Sequence, residues 1–119
     1  MRDGRDVVYS AMKTSWRMPS LREGFEWWKS VTMQFFSQAA AADMNNIKVV
    51  RFEDLLANPR EVCRDVLHFL EIPFREEIMS VEVRRGKTGK WREDWSDSEK
   101  KMYAEICGEL HTSLGYSLE

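Results

Sequence analysis

Two stretches of the chain concentrate arginine, serine and glycine in the way an anion site requires. The first, Arg2-Asp3-Gly4-Arg5-Asp6-Val7-Val8-Tyr9-Ser10, sets an arginine at the entry of a predicted helix and a serine hydroxyl two turns inside it. A helix start exposes N–H groups without intrahelical partners and the positive end of the helix dipole, and both favour a phosphate. The second, Arg84-Arg85-Gly86-Lys87-Thr88-Gly89-Lys90-Trp91-Arg92, offers guanidinium forks beside glycines that let backbone approach a ligand closely. Charge-assisted hydrogen bonds of this kind contribute about 1.5–3 kcal/mol each, so a few converging on one dianion support micromolar binding. Either stretch alone reads more readily as a solvated basic surface than as a site. Their occurrence together is what carries weight.

The elements that must position these residues follow from periodicity and caps. Arg2 to about Arg17 reads as a helix, with Asp3 as N-cap and Asp6 placed to reach back in a capping box. Gly24 to about Met44 is a longer helix, its face marked by Phe25, Trp28, Thr32, Phe35, Ala39 and Ala42. Residues 47–52, Ile-Lys-Val-Val-Arg-Phe, form the one clear strand: short, β-branched and preceded by an Asn-Asn turn signal. Asn58-Pro59 opens another helix. Ser96 and Glu99 form a capping box for the last one, in which Met102, Ile106, Leu110 and Leu114 recur every four residues and Gly115 gives the stop. A strand between amphipathic helices implies an α/β fold with a parallel sheet, yet one strand cannot satisfy its own N–H and C=O groups. The expectation is therefore a partial α/β domain, mostly helical, whose remaining parallel strands are missing upstream or come from another chain.

Composition narrows the function classes. With 119 residues the chain makes one small domain at most. Apolar residues are 43% of it, with five Trp and six Phe, enough for a packed core. A net charge of −2 gives no general attraction to nucleic acid or anionic membranes, so an anion site must come from a local basic cluster. Cys63 and Cys107 lack metal-ligand spacing and sit on predicted apolar helix faces, as reduced buried thiols do. No apolar run reaches the length of a membrane span, and the charged start Met1-Arg2-Asp3 is unlike a secretory signal. A cytoplasmic setting is the expectation. His68 and His111 adjoin no candidate nucleophile in sequence. Trp27, Trp28 and Trp91 read as core or loop anchors.

Taken in order, the basic stretches and the segment between them resemble the sulfotransferases that use 3′-phosphoadenosine 5′-phosphosulfate. Arg2-x7-Ser10 resembles that family's 3′-phosphate motif. Residues 50–59, Val-Arg-Phe-Glu-Asp-Leu-Leu-Ala-Asn-Pro, resemble its strand and following segment, and Arg84-Arg85-Gly86-x-x-Gly89-x-Trp91 resembles its C-terminal loop over the same phosphate. The resemblance implies a P-loop-like sulfotransferase fold, with residues 1–119 as the C-terminal portion of a single domain of bacterial type. It implies that Arg2, Ser10, Arg84, Arg85 and Gly86 bind the 3′-phosphate of the co-substrate. Phe52 stands near the adenine, where the family often has Tyr, and lacks that residue's hydroxyl.

The family's 5′-phosphosulfate loop and its usual general base precede the first of these motifs, so no catalytic residue is assigned, and no metal is expected. The implied activity is transfer of a sulfuryl group to a hydroxyl or amine of a small molecule or glycan. Nucleic acid is not an expected partner; a complementing chain or a second copy is. The alternative is a non-catalytic helical interaction module with a vestigial phosphate site. A phosphate-binding kinase is disfavoured because no G-x-x-x-x-G-K-[ST] loop is present.

Overall fold

A computed structural model describes residues 1–14, 18–81 and 88–119. Six α-helices occur among them: α1 (Gly4–Lys13), α2 (Leu21–Ala41), α3 (Phe52–Ala57), α4 (Pro59–Phe69), α5 (Trp91–Asp94) and α6 (Asp97–Ser113). Short 3-10 turns span Met44–Asn46 and Glu76–Ser80. The chain divides into two compact units. One holds Met1–Arg2 with Asp43–Gly86, the other Asp3–Ala42 with Lys87–Glu119.

The expected α/β architecture is not what forms: the described residues contain no strand and no sheet, and the fold is helical. Residues 47–51 do have extended backbone, with φ −125° and ψ 121° at Ile47 and φ −84° and ψ 132° at Arg51. Their β-branched side chains favour that conformation. A strand also needs a partner along its length, and among the described residues the pairing is confined to one point. The Met1 ammonium donates to the Val50 carbonyl at 2.6 Å, and the Phe52 N–H donates to the Met1 carbonyl at 2.7 Å. Phe52, expected as the last strand residue, is instead the first residue of α3.

In this first unit α3 packs on α4, which starts as expected with Asn58 as cap residue and Pro59 in its first turn. Lys48 pairs with Asp65 at 2.5 Å and Arg60 with Glu76 at 2.5 Å. None of its described residues from 43 to 81 is fully buried. Val50, Leu55, Val62, Cys63, Val66, Leu67 and Ile78 instead surround an apolar hollow of about 270 Å³.

The second unit has a closed core. α1 and α6 both pack on α2, and α5 packs on α1. Ser20 caps α2 by accepting from the Glu23 N–H, so the helix starts at Leu21, three residues before the expected Gly24. The centre is aromatic. Phe25 is fully buried and meets Trp95 and Tyr103 edge-on, with ring centroids 5.2 and 5.1 Å away. Such pairs add about 0.5–1.5 kcal/mol each beyond the area they bury. Trp28, Trp91, Val8, Tyr9 and Cys107 complete the cluster.

α6 presents its expected capping box at Ser96 and Glu99, and the chain turns out of the helix through Gly115 at φ 80°. Its deepest face is one position away from the apolar stripe read in the sequence. Tyr103, Cys107, Gly108 and His111 are buried, while Met102, Ile106, Leu110 and Leu114 pack around that line half-exposed. The polar members of the buried face are satisfied. The Ser117 carbonyl accepts from His111 Nε2 at 3.0 Å, so in the neutral ring Nδ1 accepts from the Tyr103 hydroxyl at 2.9 Å. Burial raises the Tyr103 phenol far above its ordinary value and pushes the Cys107 thiol up to about 12, so both stay protonated.

Truncating the central ring tests this arrangement. Phe25→Ala should lower stability in urea denaturation by about 3–5 kcal/mol. Phe35→Ala on the exposed part of the same helix, where the ring is 46% exposed, should cost about 1 kcal/mol or less.

Candidate phosphate-binding site

The first turn of α1 is built around a buried ion pair. Asp3 caps the helix by accepting the Arg5 N–H at 2.8 Å. The same carboxylate takes Arg5 Nε at 3.1 Å and Arg5 Nη2 at 2.7 Å. Arg5 is only 4% exposed. Its remaining reach goes to the C-terminal segment, where Nη2 donates to the Ser117 carbonyl at 2.7 Å and Nη1 to the Leu118 carbonyl at 3.1 Å. The guanidinium also lies 4.1 Å from the centroid of the Trp91 ring. Burial raises the Asp3 carboxyl, but the hydrogen bonds and charge of Arg5 outweigh it and hold the group below its ordinary value.

Asp6, one turn on, is also buried. Its Oδ1 accepts the Gly89 N–H at 2.7 Å. Gly89 has φ 78°, a left-handed conformation that residues with a Cβ rarely adopt. The second glycine of the Gly-x-x-Gly-x-Trp stretch thus has a backbone reason to be glycine, and its N–H ties that turn to α1. Directly after it, α5 buries Trp91 and exposes Arg92. At the other end of α5 the Asp94 carboxylate accepts from the Tyr9 hydroxyl and pairs with Lys13 at 3.2 Å. The Lys13 ammonium also donates to the Tyr9 hydroxyl, so the three groups form one cluster. Hydrogen bonds from Tyr9 and Lys13 lower the Asp94 carboxyl, and those to Tyr9 and Asp94 raise the Lys13 ammonium.

The residues read from the sequence as phosphate ligands are placed as follows. Arg2 and Phe52 come together in the first unit, with the guanidinium carbon 4.9 Å from the ring centroid. Ser10 is exposed on α1 in the second unit. Arg84, Arg85 and Gly86 lie outside the described residues. The α1 entry, read as an open anion site, carries the protein's own carboxylates Asp3 and Asp6.

Three features of the site were not anticipated: the Arg5 hub, the Asp6–Gly89 bond and the Tyr9–Lys13–Asp94 cluster. The only sequence signals were Arg5 flanked by Asp3 and Asp6, and the four-residue spacing from Tyr9 to Lys13. Neither names its partner some 80 or more residues away. Among the described residues no group of His, Cys, Asp or Glu could hold a metal ion, and no helix is long and apolar enough to cross a membrane.

Residues 1–76 match the profile of the sulfotransferase family. The match covers more than half of the chain, which belongs to that family. No curated protein gave a match to it. Arg2, Ser10 and Phe52 fall inside the matched stretch; Arg84, Arg85, Gly86 and the turn through Trp91 fall beyond it. The family is one of transferases, and 3′-phosphoadenosine 5′-phosphosulfate is in general its co-substrate.

The ion pair makes a prediction about pH. A carboxyl whose folded-state value is depressed adds stability above its unfolded value, about 3.9, and that stability is lost as pH falls further. Denaturant midpoints of the wild type should therefore fall between pH 5 and pH 3. Asp3→Asn should lower stability at pH 7 by about 3 kcal/mol or more, because it leaves a buried guanidinium uncompensated, and should flatten the acid decline.

Proposed function

We propose that the chain binds the 3′-phosphate end of 3′-phosphoadenosine 5′-phosphosulfate and serves in transfer of its sulfuryl group to a hydroxyl or amine acceptor. The observation that carries this reading is the stacking of Arg2 on Phe52 at 4.9 Å, within the stretch that matches the sulfotransferase family. A guanidinium held against an aromatic ring sets charge-assisted donors beside a flat apolar surface. Those are the two chemistries a phosphorylated purine nucleoside requires. On this reading Arg2, Ser10, Arg84, Arg85 and Gly86 hold the phosphate, and the Phe52 ring lies by the base without offering a hydrogen bond.

Further support comes from the turn at Gly89. Its N–H is tied to Asp6 on the helix that carries Ser10. The chain would contribute nucleotide-holding residues of a sulfotransferase domain, with the sulfur-facing loop and general base supplied by further sequence or a complementing chain. The acceptor would be a small molecule or glycan.

Titration calorimetry with adenosine 3′,5′-bisphosphate tests the reading. Micromolar binding is expected, with Arg84→Ala and Arg2→Ala each weakening it about tenfold or more and Ser10→Ala by about three- to tenfold. Absence of binding, or affinity unchanged in both arginine variants, would sink it. A sulfuryl-transfer assay separates a catalytic chain from a helical module that retains only the phosphate grip.

A further inference from the structure

A second concave feature lies entirely within the unit formed by Asp3–Ala42 and Lys87–Glu119. It is a pocket of about 300 Å³ between the start of α5, the first half of α6 and the C-terminal segment. That volume is at the lower end of small-molecule sites, roughly 300–1,000 Å³. Trp91, Tyr103, Ala104 and Leu118 give it apolar and aromatic walls, and Arg5, Arg92, Lys100 and Glu119 give it charge.

Three observations define what such a pocket would take. First, Trp91 is 4% exposed, and its indole Nε1–H is buried with no hydrogen-bond partner among the described residues. A buried donor left unsatisfied costs about 1–3 kcal/mol, and a ligand oxygen accepting from it would remove that cost. Second, the cations are not equivalent. Arg5 is already committed to Asp3 and to the Ser117 and Leu118 carbonyls. Arg92 is exposed, with its guanidinium carbon 4.6 Å from the Trp91 centroid. The Lys100 side chain is 35% exposed, and its one ion pair among the described residues is to Asp97, at a long 3.8 Å. Third, Glu119 is the single anionic side chain on the lining and is itself exposed.

From these we infer that the pocket is a binding site for a small planar aromatic anion, its ring beside Ala104 and Leu118 at the edge of Trp91 and its oxyanion held by Arg92, Lys100 and the indole N–H. An aromatic ring suits walls that are themselves aromatic. A cation is disfavoured, because with Arg5 paired to Asp3 two basic side chains, Arg92 and Lys100, still face one side-chain carboxylate. The inference rests on the pocket alone and stands or falls independently of nucleotide binding.

The probes are naphthalene-2-sulfonate and the uncharged naphthalene-2-methanol, titrated by calorimetry into the full chain. The sulfonate should bind about tenfold or more tighter than the alcohol. Arg92→Gln and Lys100→Gln, both at accessible positions, should each weaken the sulfonate about three- to tenfold, while Glu119→Gln should strengthen it about twofold. The Trp91 indole resonance in a nitrogen–proton correlation spectrum should shift downfield on binding. Equal affinity for sulfonate and alcohol, unchanged affinity in the Arg92→Gln/Lys100→Gln double variant, or an unmoved Trp91 resonance would each overturn the assignment. So would competitive displacement of the sulfonate by adenosine 3′,5′-bisphosphate, which would merge the pocket with the nucleotide site.

Discussion

Arg5 carries a permanent positive charge into a place that is 4% exposed, and the second unit is organised around making that tolerable. Desolvating a guanidinium costs several kcal/mol, and only complete pairing offsets it. Asp3 supplies the countercharge and at the same time caps α1. The Ser117 and Leu118 carbonyls take the outer N–H groups, which fastens the C-terminal segment across the end of the unit. The Trp91 face accepts the flat side of the cation at 4.1 Å. One residue thus fixes where α1 begins, where the tail runs and how α5 is seated.

The aromatic cluster depends on that seating. Trp91 contacts Trp95, Trp95 contacts Phe25 and Tyr103, and Tyr103 hydrogen-bonds His111. His111 returns to the Ser117 carbonyl, the same group that Arg5 holds. The Ser117 carbonyl is therefore a shared acceptor, at which the cation and the imidazole meet through one oxygen. Gly4 belongs to the same constraint. A Cβ there would come within 2.5 Å of Trp28 and closer still to the Tyr103 hydroxyl, so α1 can lie this near the aromatic core only with glycine in its first turn.

Helices and their caps were legible because their causes are local. Asp3, Ser96 with Glu99, Pro59 and Gly115 act within one turn of themselves, and all took the positions that their chemistry predicts. The buried face of α6 was misplaced by one residue because hydropathy rates Tyr and His below Met, Ile and Leu. A hydrogen-bonded Tyr–His pair is nonetheless as well suited to the interior as a methyl group. The strand at 47–52 failed for a different reason. Ile47 to Arg51 fix an extended backbone, but a strand is a property of two segments, and among the described residues pairing reaches only Met1. The candidate site was legible in residue type and not in partnership, since the Asp6–Gly89 bond joins positions 83 apart in sequence.

That distinction decides how the two arginines of the first basic stretch differ. Arg2 and Arg5 are three residues apart and equally basic, and both would count as phosphate ligands by composition alone. Arg5 could bind a phosphate only by releasing Asp3, the cap of its own helix, together with two carbonyls that hold the C-terminal segment. A dianion would have to recover all of those bonds and would leave the Asp3 carboxylate buried beside it, a like-charge arrangement that costs more than it returns. Arg2, by contrast, lies half-buried against the Phe52 ring in the first unit. Composition alone therefore does not separate the two arginines; what separates them is that the bonds of Arg5 hold its own helix start and the C-terminal segment in place.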